Sequence, residues 1–172
     1  MPGHRFSGVL LLSGLLVHAG AVRGGDPPDE SAIHWHTDLD TARLTARATD
    51  RPLLIVFGAD RCPHCRRLHA TTLSHPQIVH YIGRRFVPVR LDVDQDARVA
   101  KILGVKSLPT SIVLSPQADL LGRIVGYIEA HRYYSVLESS RQLGRRVAEA
   151  EAAAALSGAR PTIELEWRPA GR

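Results

Sequence analysis

Two cysteines, Cys62 and Cys65, are the only thiols in the chain, and they lie three positions apart in the segment Cys-Pro-His-Cys. The apolar run at residues 53–57 precedes them, which predicts a strand that ends shortly before a helix begins. At a helix start, unpaired backbone N–H groups and the positive end of the dipole favour the thiolate of the first cysteine. The second cysteine lies one turn inside, close enough to close a disulfide ring. The spacing therefore predicts redox chemistry at this pair.

Metal sites and structural disulfides share the Cys-x-x-Cys spacing, and both alternatives stay open. A stability role explains the pair poorly, because closing so small a ring removes little chain entropy. Cys62, Cys65 and His69 could share one side of the helix start and hold copper or zinc. There is no second Cys-x-x-Cys, and Arg66 excludes the haem-attachment form. We expect His69 to be a surface histidine, and we predict neither a metal nor a cofactor.

The first residues predict a secretory signal peptide at 1–21. His4 and Arg5 precede an apolar run at 9–17 that is too short to span a bilayer, and residues 19–21, Ala-Gly-Ala, have the form of a signal-peptidase site. An uncleaved anchor is the alternative. Export would place the protein in the periplasm or outside the cell, where disulfides persist, without stable membrane insertion after cleavage.

Length and charge restrict the classes of protein to which the chain can belong. A chain of 172 residues with 44% hydrophobic composition can bury one good core, so a single domain is expected. The formal net charge is +5, but the cations are dispersed and aromatic residues make up only 5% of the chain. This composition offers no stacking platform, so no nucleic-acid partner is predicted.

The order of the predicted elements indicates an α/β fold. Residues 22–32 read as a flexible lead-in, 33–140 as the folded domain, and 141–172 as a helix extension with a C-terminal tail. The predicted elements are a helix at 39–49, a strand at 53–58, a helix from the cysteines to 73, a helix at 77–84, a strand at 86–93, a short helix to 103, strands at 111–114 and 120–127, and a helix at 129–156. A βαβ unit followed by ββα predicts one mixed sheet covered by helices on both faces.

Two local features complete the expected secondary structure. Thr37, with Asp40 three residues on, resembles a capping box at the start of the first helix. Residues 162–167 alternate between apolar and polar side chains and could add an edge strand, although a loose tail is the alternative.

Over about residues 33–140 the chain resembles the thioredoxin superfamily, and more closely its exported thioredoxin-like members. Residues 57–65 are similar to the family's redox turn between strand and helix, residues 91–94 to its second core strand, and residues 104–110 to its loop ending in a cis-proline. The resemblance implies a thioredoxin-like fold, with a central mixed sheet flanked by helices on both faces. It also implies that Pro109 is cis and packs against the cysteine pair.

The cis-proline loop is the substrate-binding segment that the resemblance implies, with Leu108, Pro109 and Thr110 as its residues. A proline here removes one backbone donor and leaves the N–H and carbonyl of Leu108 open to a substrate strand. Recognition would then proceed by addition of a strand to the sheet edge.

Three departures from the family pattern bear on the direction of electron flow. Val56 replaces the buried acid that reductants of the family carry, and Arg61 replaces the tryptophan that usually precedes the first cysteine. Pro63 and His64 form the dipeptide of the DsbA family of periplasmic oxidants. An imidazole N–H can stabilise the Cys62 thiolate, which favours the reduced form and makes the disulfide more oxidising. The stretch between the cysteines and the cis-proline is too short for the helical insertion domain of those oxidants.

The sequence therefore predicts an exported thiol–disulfide oxidoreductase that acts on protein cysteines by dithiol/disulfide exchange, with an oxidant or isomerase preferred. Cys62 is expected to be the exposed nucleophile and Cys65 the resolving thiol, with His64 tuning the pKa of Cys62 and Pro63 beside it. The expected partners are cysteine-containing client proteins and a membrane redox partner. Two alternatives stay open: a periplasmic reductant fed by a membrane electron donor, and a non-enzymatic module that binds a metal or a client.

Overall fold

The computed structural model describes residues 32–157, which form a four-stranded sheet and five α-helices. The helices are α1 (Leu39–Thr49), α2 (Pro63–Arg67), α3 (Pro76–Arg85), α4 (Ala97–Ile102) and α5 (Ala130–Ser157), and the strands are β1 (Leu53–Gly58), β2 (Val87–Asp92), β3 (Thr110–Leu114) and β4 (Leu120–Val125). A π-helical segment, Leu68–Thr72, follows α2 directly. The predicted signal peptide, nearly all of the lead-in and the alternating segment at 162–167 lie outside the described residues.

The sheet has the strand order β2-β1-β3-β4. β1 and β2 are parallel, joined by the crossover through α2 and α3, whereas β3 is antiparallel to both β1 and β4. Leu53 is paired with Leu114 at one end of β1, and Phe57 is paired with Thr110 at the other. The prediction of one mixed sheet is confirmed.

Strand β1 lies at the centre of the domain because its side chains are apolar on both faces of the sheet. Leu53, Ile55 and Phe57 pack with residues of α1 and α4, while Leu54 and Val56 pack with residues of α3 and α5. All five are at most 1% exposed. Burying a side chain of this size contributes roughly 1.5–3 kcal/mol, so the two cores hold helices on both faces of the sheet, as predicted.

Helix α1 begins one residue later than a cap at Thr37 requires, so the predicted capping box is wrong. Asp38 is the N-cap, with an extended backbone, and its carboxylate accepts a hydrogen bond of 2.7 Å from the N–H of Thr41. Hydrogen bonding by the Thr41 side chain, and then by its backbone N–H, holds the pKa of Asp38 below its ordinary value. Aspartate caps a helix at least as well as threonine, which explains why the start falls here.

A short parallel bridge extends the sheet beyond β2. The N–H of His36 donates to the carbonyl of Pro88 at 2.9 Å, and the N–H of Arg90 donates to the carbonyl of His36 at 2.9 Å. A single bridging residue leaves no alternating pattern in the sequence, so the bridge was not predicted. It fixes the residues before α1 against the edge of β2.

Candidate active site

The cysteine pair lies between the end of β1 and the first turn of α2, and the two sulfurs form a disulfide. Cys62 is the N-cap of α2, with an extended backbone, and Pro63 occupies the first turn, where its missing N–H costs nothing. The Cys62 sulfur accepts a hydrogen bond of 3.1 Å from the N–H of Cys65. This placement confirms the strand-to-helix arrangement that the spacing predicts, with the first sulfur facing an N–H of the helix start.

The expectation that Cys62 is exposed is wrong for this disulfide form. Cys62 is 9% exposed and Cys65 is 5% exposed. The pair packs with Ala59, and with Val93 and Leu108 from two other loops. These apolar neighbours cover most of the disulfide and leave Cys62 only slightly more accessible than its partner.

The Leu108–Pro109 peptide bond is cis, as the resemblance implies. The carbonyl of Pro109 accepts a hydrogen bond of 2.7 Å from the N–H of Gly126, and the Thr110 hydroxyl donates to the carbonyl of Ser107 at 2.7 Å. These two bonds fix the loop from both sides. Among residues 32–157, no hydrogen bond uses the N–H or the carbonyl of Leu108.

Pro63 and His64 are both exposed, on the outer side of the first turn of α2. The His64 imidazole makes no hydrogen bond or ion pair with any other residue that the structure describes. It lies between the two cysteines in the sequence, on the first turn of α2. The imidazole is therefore accessible from solvent beside the largely covered disulfide.

Three arginines, at positions 61, 66 and 67, flank the cysteine pair in the sequence. Arg61 makes a bidentate ion pair with Asp94, one arm of which measures 3.0 Å, and this pair holds the pKa of Asp94 below its ordinary value. Arg66 donates to the carbonyl of Asp60 at 2.8 Å. Arg67 lies 4.2 Å from the ring centre of Tyr127, a cation–π distance. Of the three, only Arg61 forms an ion pair with a described carboxylate.

Position 56 in β1, where the resemblance implies a buried acid, is apolar. Val56 is 1% exposed and belongs to the core shared with α3 and α5. His69, on the π-helical segment, is only partly exposed, so the expectation of a surface histidine is wrong. Its ring lies 6.0 Å from that of Trp35, and burial, with a smaller contribution from Arg90, lowers the pKa of His69. Burial therefore favours the neutral form of His69.

The metal alternative gains no support from the geometry. The two sulfurs bind each other, so neither is a thiolate in this form. Within residues 32–157 there is no group of three histidine, cysteine or acidic side chains placed to hold a metal ion.

The chain belongs to the family of thioredoxin-like domains, whose sequence model matches residues 39–141. That match includes the cysteine pair and the cis-proline loop. Within that domain, Cys62 and Cys65 form the disulfide between the end of β1 and the start of α2.

Three known proteins are similar to this chain. The thiol:disulfide interchange protein DsbD of Cronobacter sakazakii is 28% identical over 125 residues, which cover 67% of this chain and 22% of that protein. The chain thus spans about a fifth of the length of that relative. A thioredoxin from Thermus thermophilus superimposes with a TM-score of 0.57 at 26% identity, covering 65% of this chain and 87% of that one.

A DsbH oxidoreductase superimposes with a TM-score of 0.60 at 16% identity, and the match covers 73% of this chain and 96% of that one. At this identity the likeness shows the fold alone. None of the helices in the described range combines the length and apolar character needed to cross a lipid bilayer.

Proposed function

We propose that this chain is an exported thiol–disulfide oxidoreductase that passes its disulfide to the cysteines of client proteins, as an oxidant or isomerase. The observation that carries the direction is Val56, which is apolar and buried at the position where family reductants are expected to have an acid. An acid there would accept the proton of Cys65 during reduction of a substrate. Without that acid, attack by the reduced pair on a substrate disulfide has no built-in base.

His64 supports the same direction. Its imidazole N–H lies on the turn that presents Cys62, where it can stabilise the thiolate, together with the helix start. Stabilising the thiolate favours the reduced form of the protein, and this makes the disulfide a stronger oxidant.

The proposed reaction has two exchange steps. A client thiolate attacks the Cys62 sulfur, the Cys62–Cys65 bond breaks, and Cys65 leaves as a thiolate. A second client thiolate then attacks the client sulfur of the mixed disulfide and releases Cys62. The client gains a disulfide, the protein gains two electrons as a dithiol, and an oxidising partner, which we place in the membrane, must reoxidise it. For isomerisation, the reduced protein acts instead. The Cys62 thiolate attacks a client disulfide and frees one client thiolate, and a different client thiolate then attacks the client sulfur of the mixed disulfide and releases Cys62, so neither protein is oxidised or reduced overall.

The client is proposed to bind along the cis-proline loop. Leu108 packs beside the disulfide, and its backbone N–H and carbonyl have no partner in the described range, so they can pair with an extended client segment. Pro109 and Thr110 are buried and hold that loop in place. Clients would therefore present a cysteine within an extended stretch of chain.

A periplasmic reductant fed by a membrane electron donor is the second candidate. The similarity to DsbD, a thiol:disulfide interchange protein, favours it. The chemistry is the same exchange in reverse, with Cys62 attacking a client disulfide and Cys65 resolving the mixed disulfide.

Two assays on the same preparation separate the candidates. We expect the oxidised protein to accelerate refolding of a reduced multi-cysteine substrate, and the reduced protein to be a poor catalyst of insulin reduction. Cys62→Ser abolishes both activities, whereas Cys65→Ser accumulates a mixed disulfide with the client. Fast insulin reduction without accelerated refolding would establish the reductant instead.

Export has its own test. We propose that residues 1–21 are removed, so the mature protein recovered outside the cytoplasm begins at Val22. Recovery of the chain with residues 1–21 still attached would contradict this part of the proposal.

A further inference from the structure

A second concave site lies at the end of the sheet opposite the cysteines. It is a cleft of about 260 Å³ between the segment that enters β1, the end of α3, the β3–β4 turn and the second half of α5. Leu53, paired with Leu114, marks this end of β1, while Gly58 marks the end beside the disulfide. A six-residue strand is about 17–20 Å long, so the cleft is separate from the redox site.

The cleft is lined by arginines from three segments that are distant in sequence. We call it the basic cleft, and its charged lining residues are Arg51, Arg84, Arg85, Arg141 and Arg145, with Asp50 and Glu151. Five guanidinium groups line the cleft with two carboxylates. Arg141 also pairs with Glu138 and Arg145 with Glu149, which leaves a net excess of one positive charge in a confined space. Such an excess attracts anions and focuses the field within the cleft.

Several of these guanidinium groups have hydrogen-bond donors that no described residue uses. Arg84 and Arg85 make no ion pair with any described residue, and both also border an adjoining hollow that contains Tyr81 and Glu138. Arg51 donates through Nη1 to the carbonyl of Gly83 at 3.0 Å, but its buried Nε has no acceptor within the described range. Buried N–H groups without an acceptor are rare in proteins, and oxyanions are the acceptors that guanidinium groups bind best.

Arg141 is held in place on the inner side of the basic cleft. Its Nη2 donates to Glu138 at 2.9 Å and its Nε to Glu138 at 3.2 Å, while the Tyr81 hydroxyl donates to the same carboxylate. None of these contacts uses Nη1 of Arg141. The ion pair thus fixes a guanidinium group that still has donors for a ligand, and a fixed donor loses little entropy on binding.

We propose that the basic cleft binds a phosphate-bearing ligand. Phosphate oxygens match the forked donors of arginine in pairs, and Arg84 and Arg85 have no carboxylate partner within the described range. The volume suits a phosphorylated small molecule or the headgroup of an anionic lipid, and these two sources share the same chemistry. The ligand would bind about one strand length from the disulfide, without touching the cysteines.

The test uses the full-length protein and the variant Arg84→Gln/Arg85→Gln. The matched control is Arg98→Gln/Arg132→Gln, which removes two exposed arginines that do not line the basic cleft. Inorganic pyrophosphate is titrated by calorimetry at about 150 mM salt, and vesicles with and without phosphatidylglycerol are tested by co-sedimentation. Disulfide transfer to a reduced substrate is measured in parallel and is expected to be the same in all three proteins.

Pyrophosphate binding that falls at least tenfold in Arg84→Gln/Arg85→Gln, and not in the control, would establish a site for a free phosphorylated ligand. Binding only to phosphatidylglycerol vesicles, with the same dependence on the two arginines, would establish the lipid headgroup as the source. If neither probe binds, or if binding is equal in the variant and the control, the proposal is wrong. A loss of disulfide transfer alone would concern the proposed function and not the basic cleft.

Discussion

At the scale of single residues, the reactivity of the site depends on what surrounds the Cys62 sulfur. Its environment contains the N–H of Cys65 at 3.1 Å and the exposed imidazole of His64 on the same turn. Arg61, by contrast, is neutralised by its ion pair with Asp94. Of the nearby groups, the helix start and His64 are therefore the ones free to stabilise a thiolate.

The pKa of Cys62 in the reduced protein is expected to be lower than that of an ordinary thiol. Because both groups favour the thiolate, we expect a value within roughly 3.5–7.5, below the value of about 8.5 for an ordinary thiol. His64→Ala should raise that pKa, while His75→Ala, which removes an exposed histidine at the start of α3, should leave it unchanged. The rate of alkylation by iodoacetamide as a function of pH gives the pKa directly. A wild-type pKa near 8.5 would contradict the proposed role of His64.

A buried pair of hydroxyl groups leads to a second prediction about single residues. The hydroxyl of Tyr133, which is fully buried, donates to the Ser111 hydroxyl at 2.9 Å, and burial raises the pKa of Tyr133. Tyr133→Phe leaves the Ser111 hydroxyl buried without this donor and should cost about 1–3 kcal/mol in urea unfolding. Ser111→Ala in the Tyr133→Phe background should recover part of the loss. Simple additivity of the two losses would show that the hydroxyls do not interact.

At the scale of elements, the close approach of β4 and α5 depends on glycine. A Cβ at Gly122 would lie 2.0 Å from the Ser140 oxygen and 3.1 Å from its Cβ, whereas a Cβ at Gly83 in α3 would meet nothing within 4 Å. Gly122→Ala should therefore destabilise the protein by about 1–3 kcal/mol through overpacking. Gly83→Ala should stabilise it by about 0.5–1 kcal/mol through helix propensity. Urea midpoints measure both changes, and equal effects of the two substitutions would refute this packing.

The α3–α5 contact predicts a pH dependence of stability. Hydrogen bonds from Arg141, Tyr81 and Gln142 lower the pKa of Glu138 to about 2, from an ordinary value of 4.5. A carboxyl whose pKa is lower in the folded state stabilises that state above pH 4.5, and this contribution disappears as the pH falls from about 4.5 to 2.

Glu138→Gln should therefore reduce the free energy of unfolding by about 1–2 kcal/mol at pH 7, a value reduced for the partial exposure of the pair. The difference between the wild type and Glu138→Gln should decrease as the pH falls from 4.5 towards 2. A difference that stays constant over this range would show that the Glu138 pKa is not lowered by folding.

The elements also show which features the sequence makes predictable. Local sequence patterns mark three features: the apolar run of β1, the two cysteines and the Gly104–Pro109 region. The sequence predicts the position of each correctly. Features that depend on topology were not predicted. The bridge at His36 brings together segments about fifty residues apart, and the pair Arg61–Asp94 joins two loops 33 residues apart. No local periodicity records such contacts.

At the scale of the whole molecule, the domain has two chemically distinct ends. The end beside Gly58 holds the disulfide and the cis-proline loop, and the end beside Leu53 holds the basic cleft. The arginines of the basic cleft come from three segments, so in the sequence they appear only as dispersed cations. The fold alone gathers them.

The oxidant proposal also concerns the whole molecule, because the redox equilibrium is linked to folding stability. If the disulfide is oxidising, the reduced form must be stabilised relative to the oxidised one. The potential of the Cys62–Cys65 pair thus reports the direction of electron flow for the whole protein.

The most direct test is the equilibrium reduction potential of the Cys62–Cys65 pair, measured by titration against glutathione redox buffers. The account predicts a value in the range of oxidants and isomerases, about −120 to −180 mV. A value near that of thioredoxin, about −270 mV, would contradict the assignment and identify the protein as a reductant.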